Sequence, residues 1–192
     1  MNAAARAKAI LIDPVAEWTK IQHESGDLAY LLSRYVAVLA LVPALCGLVG
    51  TSVIGVVVPG MGTVRTPIFD GLFGAIFGYV ATVVTVLLLA VLINLLAPLF
   101  GAQKDFDSAA KLAVYSYTPV WLSGIFLLLP GLRFLVLTGC YGAYVLWSGQ
   151  PRLMKSDPRK SLRYVAVIVV CAGALTFFAA IAQRAIFGTP GL

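Results

Sequence analysis

Three long stretches of this chain, residues 35–64, 71–100 and 164–183, carry no charged side chain. About twenty helical residues at 1.5 Å rise cover the roughly 30 Å hydrocarbon core of a bilayer. Each stretch meets that length. In lipid the backbone N–H and C=O groups have to be paired within the protein, and a helix does this within one segment. Composition agrees: 60% of the 192 residues are apolar and 11% are charged, against about 25% charged in a soluble domain.

Two shorter apolar segments, 112–129 and 132–147, are joined only by Pro130-Gly131. Both are short for a full crossing. They span a thinned region or form a hairpin that dips in and returns, and either way the chain comes back to the same side. The expected fold is therefore all-α: a polytopic integral membrane protein with five transmembrane helices. These are placed at 35–58, 69–96, 112–129, 132–147 and 162–186, the third and fourth forming the short hairpin. The expected organisation is a cytoplasmic segment at 1–34, a five-helix domain at 35–187 and an extracytoplasmic tail at 188–192. The first 34 residues lack the apolar core of a cleavable signal peptide, so the first apolar run is expected to serve as an uncleaved insertion signal.

The net charge is +6, but its placement argues for topology and not for a nucleic-acid partner. Eleven lysines and arginines fall in the N-terminal segment, the 2–3 loop and the 4–5 loop; Arg65, Arg133 and Arg184 fall on the other side. Basic residues collect on the cytoplasmic face of short loops. That predicts a cytoplasmic N-terminus and an extracytoplasmic C-terminus.

In the N-terminal segment, Asp13-Pro14 reads as a helix cap followed by proline at the first helical position. Leu11, Val15, Trp18 and Gln22 then share a face, with Ile21 beside them. Two readings stand: an interfacial amphipathic helix with Trp18 at headgroup depth, or a short helix packed on the protein's own loops. Helix 2 opens with Gly74 and Gly78, a spacing that lets helices approach closely. Asn94 near its end either bonds across to another helix or sits at headgroup level.

No catalytic constellation is visible. The acidic residues all lie outside the apolar runs, and His23 is the sole histidine. Cys46, Cys140 and Cys171 are far apart in sequence, so four zinc ligands cannot be assembled. The expectation is a protein without cofactor, metal or enzymatic activity.

The most informative stretch is Tyr115-Ser116-Tyr117-Thr118-Pro119. Pro119 has no N–H, so the Tyr115 carbonyl loses its helical partner. Pro119 is expected to bend helix 3, with a Ser116 or Thr118 hydroxyl bonding a carbonyl one turn earlier. Asn94, Tyr115, Ser116, Thr118 and Pro119 form a candidate polar seam, which lines a cavity or helix interface, or is only a self-satisfied kink. Asp107 or Ser108 is placed to cap helix 3. Trp18, Lys155, Arg159, Lys160 and Arg163 are the candidate contacts to anionic headgroups or to a partner.

Ala109-Ala110-x-x-Ala113-x-Tyr115-Ser116-x-x-Pro119, then Leu129-Pro130-Gly131, then Tyr141-x-x-Tyr144-x-x-x-x-Gly149 resembles the Yip1 domain family in its bacterial form, as do Asp13-Pro14, Trp18 and Ile21. The resemblance implies five transmembrane helices with a cytoplasmic N-terminus, in a bacterial cytoplasmic (inner) membrane. Eukaryotic members of that family are linked to vesicle trafficking, small GTPases and membrane shaping, through a longer N-terminal region than the 34 residues available here. The functional expectation is a non-enzymatic membrane protein that binds lipids, a membrane-protein partner or a second copy of itself. The rival is a small transporter or channel subunit that uses the polar seam.

Overall fold

The computed structural model describes residues 2–24, 27–60 and 62–187, apart from the side chains of Pro158 and Phe187; the tail expected at 188–192 lies outside the described residues. Two short helices come first, α1 (Ala3–Ile12) and α2 (Pro14–Ile21). Asp13 separates them, and its carboxylate accepts from the Ala16 N–H at 3.0 Å, as the Asp-Pro pair predicts. Sequence reasoning found α2 and missed α1.

The helix α3 (Leu28–Ile54) starts at Asp27, whose carboxylate accepts from the Ala29 N–H. It contains two stretches of wider π turns, at Leu31–Val36 and Val49–Ile54, and an irregular turn at Ala40. That turn lies just ahead of Pro43, whose ring crowds the carbonyl four residues earlier and whose nitrogen cannot donate to it. The helix stops at Gly55, which adopts φ +88, so the expected helix to residue 58 is corrected. Val56–Val58 (β1) instead pairs antiparallel with Gly62–Val64 (β2) in a small hairpin. Three successive valines favour a strand once the helix has ended.

The longest apolar run gives α4 (Ile68–Leu96), continued by a 3₁₀ turn at Ala97–Phe100 where Pro98 removes a donor. The hairpin segment differs most from expectation. In place of one helix over 112–129, α5 (Phe106–Ser116) ends two residues before Thr118-Pro119 and α6 (Thr118–Ser123) restarts the chain. Pro119 thus occupies the first turn of a new helix, where no donor is needed. Asp105 is the residue at the start of α5, without a side-chain cap bond, so the cap expected from Asp107 or Ser108 is corrected. Two 3₁₀ stretches, Gly124–Leu128 and Pro130–Cys140, surround the Leu129-Pro130 turn. The second half is α-helical only from Tyr141, as α7 (Tyr141–Leu153). The last element, α8 (Pro158–Phe187), matches the fifth expected helix.

Three helical segments, Leu28–Ile54, Ile68–Phe100 and Arg159–Ile186, are long and apolar enough to cross a membrane. The chain is all-α apart from the one hairpin. Its core lies at one end of these helices, where α5 and α7 meet α2 and α4 packs on α5: Trp18, Ile21, Ile93, Leu112, Trp121 and Tyr164 are fully buried. The Tyr164 ring stacks on Phe100 at 4.8 Å and its hydroxyl donates to the Ile93 carbonyl. The outer faces of α4 and α8 leave Phe73, Val80, Val170, Phe177 and Phe178 exposed, as lipid-facing residues are. Gly74 and Gly78 face α8, where Gln183 donates to the Gly74 carbonyl at 3.1 Å.

Candidate functional site: two cavities beside α5

Small residues on α5 set the geometry. Ala109, Ala110 and Ala113 bury one face and let α4 and α7 come close. Two glycines of α7 complete the approach. A Cβ on Gly142 would stand 2.6 Å from the Ser116 carbonyl, and one on Gly149 would stand 2.4 Å from the Trp18 ring. Gly149 was legible only as part of the family pattern; its physical role is to make room for an indole.

Trp18 therefore does not face lipid headgroups. It is fully buried, and its Nε1 donates to the Val145 carbonyl at 3.0 Å and to Ser148 Oγ at 3.2 Å. The packed reading of α2 replaces the interfacial one. Trp18 meets Tyr115 edge to face at 6.1 Å, and Tyr115 meets Tyr35 at 4.9 Å. Such pairs add about 1 kcal/mol beyond their buried area.

Around this aromatic triad lies a charged network absent from the sequence reading. Arg6 donates to Glu17 at 2.6 Å and also pairs with Glu24, and its guanidinium stands 5.8 Å over the Tyr115 ring. Lys20 donates to the other Glu17 oxygen at 2.9 Å. Burial works against the Arg6 charge, yet the hydrogen bond and charge of Glu24, with Tyr115 and Glu17, raise its pKa overall. Lys111, also buried, donates to the Ile21 and Glu24 carbonyls and so closes the C-terminal end of α2. One signal for this was available: Glu17 lies one turn from Ile21 on the face that α2 buries.

The polar seam is divided in the structure. Tyr115 lines a polar cavity of about 830 Å³ with Arg6, Glu24, Asp27, Arg34 and Lys111. Ser116 lines a second, apolar cavity of about 300 Å³ on the other side of α5. Thr118 is fully buried and shares a 2.8 Å hydrogen bond with the Tyr35 hydroxyl. Ser116 Oγ has no partner among the described residues. Neither hydroxyl bonds a carbonyl one turn earlier, which corrects that expectation: Thr118 pairs with Tyr35 instead, and Ser116 pairs with nothing among the described residues. Asn94 lines neither cavity, and its Oδ1 is buried without a partner among the described residues. Pro119 is buried in α6.

Lys155, Arg159, Lys160 and Arg163 are exposed and have no ion pair among the described residues. They gather where α7 turns into α8. The Asp157 carboxylate accepts from the Arg159 N–H at 2.9 Å at the start of α8.

The sequence model of the Yip1 domain matches residues 8–181, from α1 to the last turns of α8. The chain belongs to the Yip1 domain family. Its Yip1 domain therefore includes α2, Trp18 and the Arg6-facing residues Glu17 and Glu24 as well as the membrane helices. Inner membrane protein YohC of Escherichia coli strain K12 is 26% identical over 156 residues, covering 79% of this chain and 80% of that protein. The YohC protein of Escherichia coli O6:H1 strain CFT073 shows the same identity and coverage. No solved structure matches. With its apolar helices, the chain is an integral membrane protein of this family.

Proposed function

We propose that this Yip1 protein is a non-enzymatic protein of the bacterial inner membrane that works by binding, with anionic lipid headgroups as its first ligand. The observation that carries this is the unpaired basic cluster Lys155, Arg159, Lys160 and Arg163 at the start of a membrane-spanning helix. The N-terminal end of a helix already favours anions, and the cluster adds to that field. A membrane-protein partner or a second copy of the chain, in a role of membrane organisation, would use the same face. The name of YohC places that relative in the inner membrane and supports the location proposed here.

Five crossings, with the N-terminus cytoplasmic and the C-terminus outside, belong to the same reading. Helical length supports them. Eleven residues at about 2.0 Å rise, in Pro130–Cys140, followed by thirteen at about 1.5 Å, in Tyr141–Leu153, reach about 40 Å. The helical stretch 130–153 is longer than the apolar segment expected at 132–147, and that length is enough to cross.

Each basic residue near an anionic surface contributes about 1 kcal/mol. Neutralising Arg159, Lys160 and Arg163 together should weaken binding to vesicles containing phosphatidylglycerol by about a hundredfold, and added salt should weaken the wild type in the same direction. Unchanged binding after neutralisation would reject this reading. The transport rival is tested in the same preparation: solute or ion flux in proteoliposomes that is lost in Asn94→Leu or Ser116→Ala would establish it instead. The division of the seam between two cavities and a buried hydroxyl pair favours binding.

A further inference from the structure

We infer that the apolar cavity beside Ser116 is a side pocket for one acyl chain of a membrane phospholipid. The inference deepens the lipid-binding reading above by assigning a site to the chain, where the basic cluster concerns the headgroup.

Three features of the cavity point the same way. Its floor is Ile93, Ala113, Leu146 and Ile168, all buried and apolar. Its rim carries Leu137, Gly173 and Thr176, which are exposed, so the pocket opens sideways between α8 and the 3₁₀ stretch Pro130–Cys140. Ile93 and Ile168–Thr176 lie inside two of the three membrane-spanning segments, so the medium at that opening is hydrocarbon. The occupant offered by the surroundings is therefore an alkyl chain. The volume, about 300 Å³, holds about ten groups of methylene size, taking each as similar to a water's 30 Å³ share.

The second observation is polar. Ser116 lines this cavity, but its Oγ is itself buried and without a hydrogen-bond partner among the described residues, so the wall offers no free hydroxyl to an alkyl chain. The other hydroxyl on the rim, Thr176, is satisfied by the Ala172 and Gly173 carbonyls and is not available.

Gly173 provides a clean test. A Cβ there meets nothing within 4 Å, so a larger side chain enters the opening without striking the protein. Glycine to leucine within a helix also raises helix propensity, so the variant should fold. The experiment uses the full chain in nanodiscs with a phosphatidylethanolamine carrying a diazirine midway along one acyl chain. After photolysis, peptides containing Ala113–Val120 and Ile168–Thr176 should carry the label. Gly173→Leu should lower that labelling at least tenfold. Labelling confined to exposed positions such as Phe177 and Phe178, or equal labelling in wild type and Gly173→Leu, would overturn the pocket. Phosphatidylglycerol binding that still depends on Arg159, Lys160 and Arg163 in that case would show that the pocket alone had failed and not the headgroup reading.

Discussion

Glu17 is the residue on which the N-terminal segment turns. Its side chain is 2% exposed and takes hydrogen bonds from Arg6 and Lys20. Removing one member of a buried pair leaves the other uncompensated, at about 3 kcal/mol. Glu17→Ala should lower the thermal unfolding midpoint in detergent and expose the chain to protease before Leu28, and Arg6→Ala should do the same. Little change in either variant would mean that α1 and α2 are held by apolar packing alone. Gly149 makes a separate prediction. Its missing Cβ is replaced in space by the Trp18 ring, so Gly149→Ala forces overpacking at about 1–3 kcal/mol. Trp18 emission should shift to the red in that variant as the indole leaves its buried seat; an unshifted spectrum would count against it. Both effects were only partly legible beforehand. The Asp-Pro pair marks α2, but a tryptophan on an amphipathic helix looks alike at a lipid surface and in a protein core. What decides is Gly149, 131 positions away in sequence, and no local pattern connects the two.

At the scale of elements, legibility follows the length of the apolar run. The three long helices were placed to within a few residues at most ends, because lipid leaves a long charge-free segment few alternatives. The exceptions occur where proline or glycine breaks the pattern. Gly55 turns three valines from helix to strand, and Thr118-Pro119 divides α5 from α6. The Pro119 effect was foreseen as a bend with a hydroxyl patch. The chain instead ends one helix and starts another, which leaves Ser116 free and gives Thr118 to Tyr35. Only tertiary packing provides that tyrosine. A paired test separates the two hydroxyls. Thr118→Val leaves the Tyr35 hydroxyl buried without its partner and should destabilise by about 1–3 kcal/mol. Ser116→Ala removes a hydroxyl that has no protein partner and should leave stability unchanged or slightly raised. Equal effects of the two substitutions on the unfolding midpoint would refute this division of roles.

At the scale of the molecule, the open contrast is between five crossings and three crossings with a re-entrant hairpin. Both put the two termini on opposite sides, so reporters fused at the ends do not separate them. The Leu129-Pro130-Gly131 turn does. Five crossings bring it to the outer face, on the side of the β1–β2 hairpin; a re-entrant hairpin leaves it within the bilayer. A Cβ at Gly131 meets nothing within 4 Å, so a cysteine fits there without strain on its neighbours. In a background lacking Cys46, Cys140 and Cys171, Gly131→Cys should react with a membrane-impermeant maleimide applied from outside, at a rate comparable with Thr63→Cys on the exposed β2 strand. A cysteine at Ser156–Lys160 should react only after the membrane is opened, as the proposed cytoplasmic placement of the basic cluster requires. The continuous helical stretch 130–153 gives the physical reason to expect the first result, because its length carries the chain across the full thickness. Protection of Gly131→Cys alongside rapid labelling of Thr63→Cys would establish the re-entrant form. Labelling of Ser156–Lys160 from outside would reverse the orientation altogether, and the proposed headgroup contact would then lie on the wrong face of the membrane.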